Sequence, residues 1–217
     1  DNRIVLKSFP EGVVNTTVTS PPYYNLRDYG VNGQIGLEES LEDYIEQLCI
    51  VFDEVYRVTK DDGTLWLNIG DCYANKNEIT SDGRRGFSGS KGMGTADKTI
   101  KGLTQKDLIG VPWKVAFELQ KRGWILRSDI IWAKKNPIPE SIKDRPTSSH
   151  EHIFLFAKQP KYYYDFESVK EKITNLENNG GYEYRNKRDV WSVRVASYPG
   201  AHFATFPIEL IIPCIKA

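Results

Sequence analysis

Hydrophobic and polar positions along this chain follow two alternating periods. Residues 13–19 form a β-branched run that favours an extended strand, and Pro21-Pro22 end it because neither ring nitrogen can donate to a ladder. After a glycine-punctuated loop from Gly30 to Gly36, apolar Leu41, Tyr44, Ile45, Leu48, Phe52 and Val55 recur at helical spacing. With Ser40 as N-cap and Glu42 and Asp43 in the first turn, they predict an amphipathic helix to about Val58. Asp61-Asp62-Gly63 then reads as a turn into a buried strand over residues 64–69, flanked by Gly70-Asp71. Strand, helix, strand in that order predicts an α/β protein with a doubly wound sheet.

The pattern resumes at Ile109. Pro112 marks a helix start, with Trp113, Ala116, Phe117 and Leu119 as its buried face. Residues 124–132, 152–157 and 162–166 read as strands, the last two close enough to form a hairpin. Residues 1–12 read as the end of a strand and a short helix. Residues 168–190 are polar and irregular. A final helix opens after His202-Phe203-Ala204-Thr205-Phe206-Pro207 and runs through Glu209-Leu210-Ile211.

Composition bounds these readings. At 217 residues and 40% hydrophobic content, the chain fits one packed domain spanning residues 1–217. With no signal peptide and no apolar run near ~18 residues, a cytoplasmic protein is expected. Three cysteines without metal spacing and three histidines predict no metal site. Net charge is zero, but residues 1–74 hold 5 basic and 13 acidic residues, so the remainder carries the balancing positive excess. That excess gathers in Arg84-Arg85 through Lys106, in Lys134-Lys135, and in Arg185 to Arg194, segments able to form a phosphate-facing side. The glycine-rich stretch 75–106, with seven basic and three acidic residues, is expected to be a basic arm that orders on DNA.

The chemistry concentrates in Thr17-Val18-Thr19-Ser20-Pro21-Pro22-Tyr23-Tyr24-Asn25-Leu26-Arg27-Asp28-Tyr29-Gly30. Carbonyls of Ser20 and Pro21 that cannot be drawn into a ladder, beside an aromatic face, suit the exocyclic amino group of a planar base. This string resembles the catalytic motif of amino-group DNA methyltransferases. The serine form with its following residues is similar to the permuted branch that methylates cytosine N4. The resemblance continues in Asn68-Ile69-Gly70-Asp71 and in Asn136-Pro137-Ile138-Pro139-Glu140-Ser141. It extends through Lys143 to Glu151, through Lys158 with Tyr162-Tyr163-Tyr164-Asp165, and through Arg185 to Trp191.

The resemblance implies a Rossmann-like, S-adenosylmethionine-dependent methyltransferase fold with a doubly wound mixed sheet. It implies Ser20, Pro21, Pro22 and Tyr23 as catalytic residues. Cofactor contacts are then expected from Asp1, Asn68, Asp71, Phe203, Ala204, Thr205 and Phe206. Double-stranded DNA would meet Tyr24, Arg27, Arg84, Arg85, Lys134, Lys135, Arg145, Arg185, Lys187 and Arg188, with target recognition falling in 168–190. A separate restriction endonuclease is the expected companion activity. The family's glycine cofactor loop, Asp-Pro-Phe-x-Gly-x-Gly, would follow Lys216-Ala217, so the expectation is a fold missing that segment. Three alternatives stand beside this reading: adenine N6 as target, a DNA-binding module without catalysis, and ring-carbon methylation through the Pro213-Cys214 pair.

Overall fold

In the computed structural model, residues 1–26, 28–74, 100, 102–173, 182–196 and 205–217 are described. In chain order they form α1 (Asn2–Val5), β1 (Val14–Thr19), α2 (Leu41–Val58), β2 (Thr59–Ile69), α3 (Val111–Lys121), β3 (Ile125–Lys134), β4 (His150–Ala157), β5 (Glu171–Lys172), β6 (Tyr184–Arg185), β7 (Val190–Val193) and α4 (Ile208–Lys216). A 3-10 turn at Leu6–Ser8 continues α1, so residues 1–12 contain a helix and a turn rather than a strand end. The chain divides into two compact, interleaved units. One comprises Asp1–Val13, Ser20–Val58 and Ile69–Trp124, the other Val14–Thr19, Thr59–Asn68 and Ile125–Ala217.

The first unit is built on α2 and α3. Ser40 caps α2 as expected: its hydroxyl accepts the Asp43 N–H at 3.0 Å. Of the predicted stripe, Leu41, Tyr44, Leu48, Phe52 and Val55 are buried and Ile45 is half-buried, and Cys49 and Val51 join the inward face. Near the C-terminal ends of the two helices, Tyr56 meets Trp124 edge-on at 5.0 Å, and Arg122 pairs with Asp53 at 2.6 Å and with Glu46. On α3, Ala116 and Leu119 are buried as expected, but the face is rolled from the predicted one. Trp113 and Phe117 are 36% and 51% exposed and lean on each other at 5.6 Å. Val111 and Val115 take their place on the inward row. The Asp71 carboxylate accepts the amides of Gly110 and Val111 and so holds the start of α3.

The second unit is a five-stranded sheet in the order β1-β2-β4-β3-β7. β1 and β2 are parallel, β3 and β7 are parallel, and β3 and β4 are antiparallel. Asn68, near the end of β2, bonds Glu151 and His152 at the start of β4, while Lys158 just past β4 donates to the Thr59 carbonyl where β2 begins. β4 therefore opposes the other four strands, and the sheet is mixed. The expected hairpin of 152–157 with 162–166 does not form. Both edges of β4 are already taken by β2 and β3, and the Tyr163 N–H donates instead to the Asp62 carbonyl at 2.9 Å.

Nor is Asp61-Asp62-Gly63 a turn before the strand. It lies inside β2 as an irregularity, where the register with β1 jumps from Val14↔Thr59 to Thr16↔Thr64. Only glycine fits at position 63: an added Cβ would lie 2.6 Å from Thr59 Cγ2 and 2.7 Å from the Asn15 carbonyl oxygen.

α4 lies against this sheet. Leu210 and Cys214 pack on Trp66, Ile130, Trp132, Ile153, Leu155, Trp191 and Val193, each side chain nearly or fully buried. In 168–190 the described residues are less irregular than expected, since β5 and β6 make a small antiparallel ribbon and β7 joins the main sheet. Among the described residues no helix is long and apolar enough to cross a membrane.

Candidate active site

Ser20 follows the last residue of β1, where the two prolines stop the strand. Its hydroxyl donates to the Tyr23 hydroxyl at 3.3 Å, which ties the half-buried Tyr23 side chain to the start of the motif. The Pro22 carbonyl accepts the Tyr44 hydroxyl from α2 at 2.9 Å. Among the described residues no backbone donor meets the Pro21 carbonyl. The chain then turns through Asn25, at φ 54, whose N–H donates to the Gly36 carbonyl at 2.7 Å. Gly36, at φ +110, passes so close that a Cβ would lie 3.0 Å from the Tyr23 carbonyl oxygen. The Glu38 carboxylate accepts the Gly36 N–H at 2.8 Å, so the glycine loop folds back on the motif.

Tyr44 was legible in the sequence only as a core position of α2. Its pKa is raised well above the ordinary tyrosine value, first by burial and then by Cys72 and Glu38, so it remains a hydrogen-bond donor at any neutral pH. Burial likewise pushes the Cys72 thiol up to about 12. Tyr24, expected on DNA, is 2% exposed, and its ring packs at 5.2 Å from that of Tyr44.

Several expected cofactor residues have structural work. Asp1 caps α1 and its carboxylate takes the backbone and guanidinium of Arg3. Asn68, 4% exposed, donates to Glu151 at 3.0 Å and to the His152 carbonyl at 3.1 Å, so its amide is occupied within the sheet. Asp71 accepts the N–H groups of Cys72, Gly110 and Val111. Phe203 and Ala204 lie outside the described residues. Thr205 and Phe206 are half-buried and lead into α4, whose N-cap Pro207 offers no side-chain bond. Its first amides therefore lack a side-chain acceptor from the cap, a setting that fits a carboxylate such as the methionine end of S-adenosylmethionine.

The expected DNA-facing cations separate into two groups. Lys134 pairs with Glu151 at 2.5 Å and lies over Trp132. Arg145 folds onto Glu140 and the Pro146 carbonyl in its own loop. Arg185 and Arg188 share the Glu171 carboxylate. Although partial burial opposes it, these two guanidiniums hold Glu171 below its ordinary value. Lys135 is exposed, and Lys187 sits over the Trp191 ring at 4.8 Å; neither has a carboxylate partner among the described residues. Arg27, Arg84 and Arg85 lie outside the described residues.

The ring-carbon alternative fails on Cys214. Its side chain is 2% exposed, its Sγ is 3.5 Å from the Leu210 carbonyl, and burial pushes its thiol up to about 12, so no accessible thiolate exists there.

A Ser-Pro-Pro-Tyr loop at the end of a strand, in a chain built on a mixed sheet, is the arrangement that the resemblance to amino-group methyltransferases implies. The DNA methylase family model for N6- and N4-methyltransferases matches residues 14–217, and the chain belongs to that family. It is 50% identical to the type II methyltransferase M.Cfr9I of Citrobacter freundii, across all of this chain and 70% of that protein. It is 48% identical to M.SmaI of Serratia marcescens, across all of this chain and 73% of that protein. Among solved structures, the cytosine-N4-specific PvuII DNA methyltransferase matches with a TM-score of 0.66 at 17% identity, over all of this chain and 67% of that one. A putative DNA modification methylase from Thermus thermophilus, complexed with S-adenosyl-L-methionine, matches at 0.60 and 24%, over all of this chain and 71% of that one. The fold is that of S-adenosylmethionine-dependent methyltransferases, and the chain is a site-specific DNA methyltransferase of the N4/N6 class.

Proposed function

We propose that this enzyme methylates the exocyclic N4 of a cytosine turned out of the duplex, as part of a restriction-modification pair with a separate endonuclease. The observation that carries the reading is Ser20: a hydroxyl donating to Tyr23 at 3.3 Å keeps its lone pairs open as acceptors, at the head of a motif whose Pro21 carbonyl meets no backbone donor among the described residues. The cytosine amine is a poor nucleophile because its lone pair is delocalised into the ring. Acceptors at Ser20 and Pro21 hold its hydrogens and let the nitrogen pyramidalise. Tyr23 offers its ring to the extruded base, and unstacking that base costs a few kcal/mol that pocket and phosphate contacts offset.

S-adenosylmethionine, when bound, supplies an electrophilic methyl group. The protein's task is to align the amine with it. Thr205, Phe206 and the α4 N-terminus are the described residues that would hold its methionine end, with Phe203 and Ala204 adjoining them in sequence. Of the cations expected on DNA, Lys135 and Lys187 are the described ones left for phosphates.

The test supplies the protein with DNA and isotopically labelled S-adenosylmethionine, followed by mass spectrometry of the digested nucleosides. Label in N4-methylcytosine is expected, and label in N6-methyladenine overturns the target. Ser20→Ala is expected to lower turnover about 10- to 100-fold, the loss of one well-placed acceptor. Unchanged turnover would remove Ser20 from the catalytic set.

A further inference from the structure

We infer that Tyr44 is a positioning residue for the methyl transfer: its hydroxyl on the Pro22 carbonyl sets the orientation of the catalytic loop. The inference rests on the proposed role of Ser20 to Tyr23.

Pro21 and Pro22 have no N–H, and their rings lock φ near −65°. Neither residue can therefore anchor itself by donating, and the freedom left to Pro22 is the rotation that aims its carbonyl. Tyr44 removes that freedom. It is fully buried, its ring is braced by Tyr24 at 5.2 Å, and its hydroxyl reaches the Pro22 oxygen at 2.9 Å. Rotating the Pro22 carbonyl rotates the next peptide plane, and with it Tyr23, the proposed stacking ring. On the other side the Gly36 backbone passes close to the motif, where an added Cβ would stand 3.0 Å from the Tyr23 carbonyl oxygen and 3.4 Å from Pro22 Cβ. The Asn25 N–H on the Gly36 carbonyl at 2.7 Å closes the loop. Tyr44 thus holds the Pro22 carbonyl and the Leu26 N–H meets the next one, at Tyr23, at 3.4 Å, while no backbone donor among the described residues meets the Pro21 carbonyl. Burial keeps the Tyr44 hydroxyl protonated, so the grip does not depend on pH in the working range.

Tyr44→Phe keeps the ring and deletes the bond to Pro22. Its kcat at saturating DNA and S-adenosylmethionine is expected to fall about 10- to 100-fold, the scale of a small misplacement of reacting groups, with the KM for S-adenosylmethionine within about twofold of the original. Leu48→Ala is the comparison, because Leu48 lies one turn further along the same buried face of α2, 1% exposed, and lies outside the catalytic set. It is expected to lower Tm while leaving kcat unchanged at temperatures where the protein is folded.

Amide hydrogen exchange gives a readout independent of turnover. Tyr44→Phe is expected to speed exchange at Tyr23, Tyr24 and Asn25 without a matching rise in the sheet, and Leu48→Ala is not. Wild-type kcat in Tyr44→Phe, or unaltered exchange in the loop, overturns the inference. If Ser20→Ala is also fully active, the motif reading has failed; if Ser20→Ala is impaired and Tyr44→Phe is not, only the positioning role has.

Discussion

Tyr23→Ala is expected to lower methyl transfer about 10- to 100-fold in a protein that still folds. The side chain is half-buried, with its hydroxyl on Ser20, so its removal opens no large cavity. What is lost is the aromatic face. Stacking of a base on an aromatic ring is worth about 1–3 kcal/mol, and that stabilisation exists only while the base is out of the duplex. Tyr23→Phe keeps the face and loses the Ser20 contact, so its activity is expected to fall between the two. Steady-state turnover on unmethylated DNA, with circular dichroism as the folding control, measures both. Wild-type turnover in Tyr23→Ala would mean that some other group holds the extruded base.

The largest effect on stability is expected from Trp66→Ala, at about 3–5 kcal/mol of unfolding free energy. Trp66 is 2% exposed in the middle of β2 and sits beside Val18 of β1 in the ladder. Its ring tilts toward Trp191 at 6.3 Å, and its Nε1–H donates to Thr64 Oγ1 at 3.2 Å. Truncation removes the side chain that β1, β2, β7 and α4 share, and the strands around it cannot collapse without breaking their ladders. Urea denaturation followed by fluorescence measures the loss. A cost below about 1 kcal/mol would mean that the cluster under α4 is not the core of its unit.

Where local periodicity and local chemistry agreed, the sequence was sufficient. α2 and its Ser40 cap could be read directly, since cap, acidic first turn and apolar stripe all lie within one stretch of chain. The motif at Ser20 to Tyr23 could be read because two prolines ending a β-branched run leave few structural options. Contacts between distant segments account for departures that local patterning does not foresee. The 162–166 strand was lost because β4 had no edge left, and the start of α3 is held by Asp71, far back along the chain. Asn68 and Lys134, expected to meet cofactor and DNA, are both brought to Glu151 by the fold.

The sequence by itself was enough for the family and, through that resemblance, the methyl donor, because both are carried by short strings of neighbouring residues. Only the tertiary structure decided which polar side chains remain available for ligands. It also decided that Tyr44 grips Pro22 and that Gly63 must be glycine. Each of those outcomes is a contact between segments that local patterning does not relate, and a buried polar group takes whichever partner the fold brings within hydrogen-bond reach.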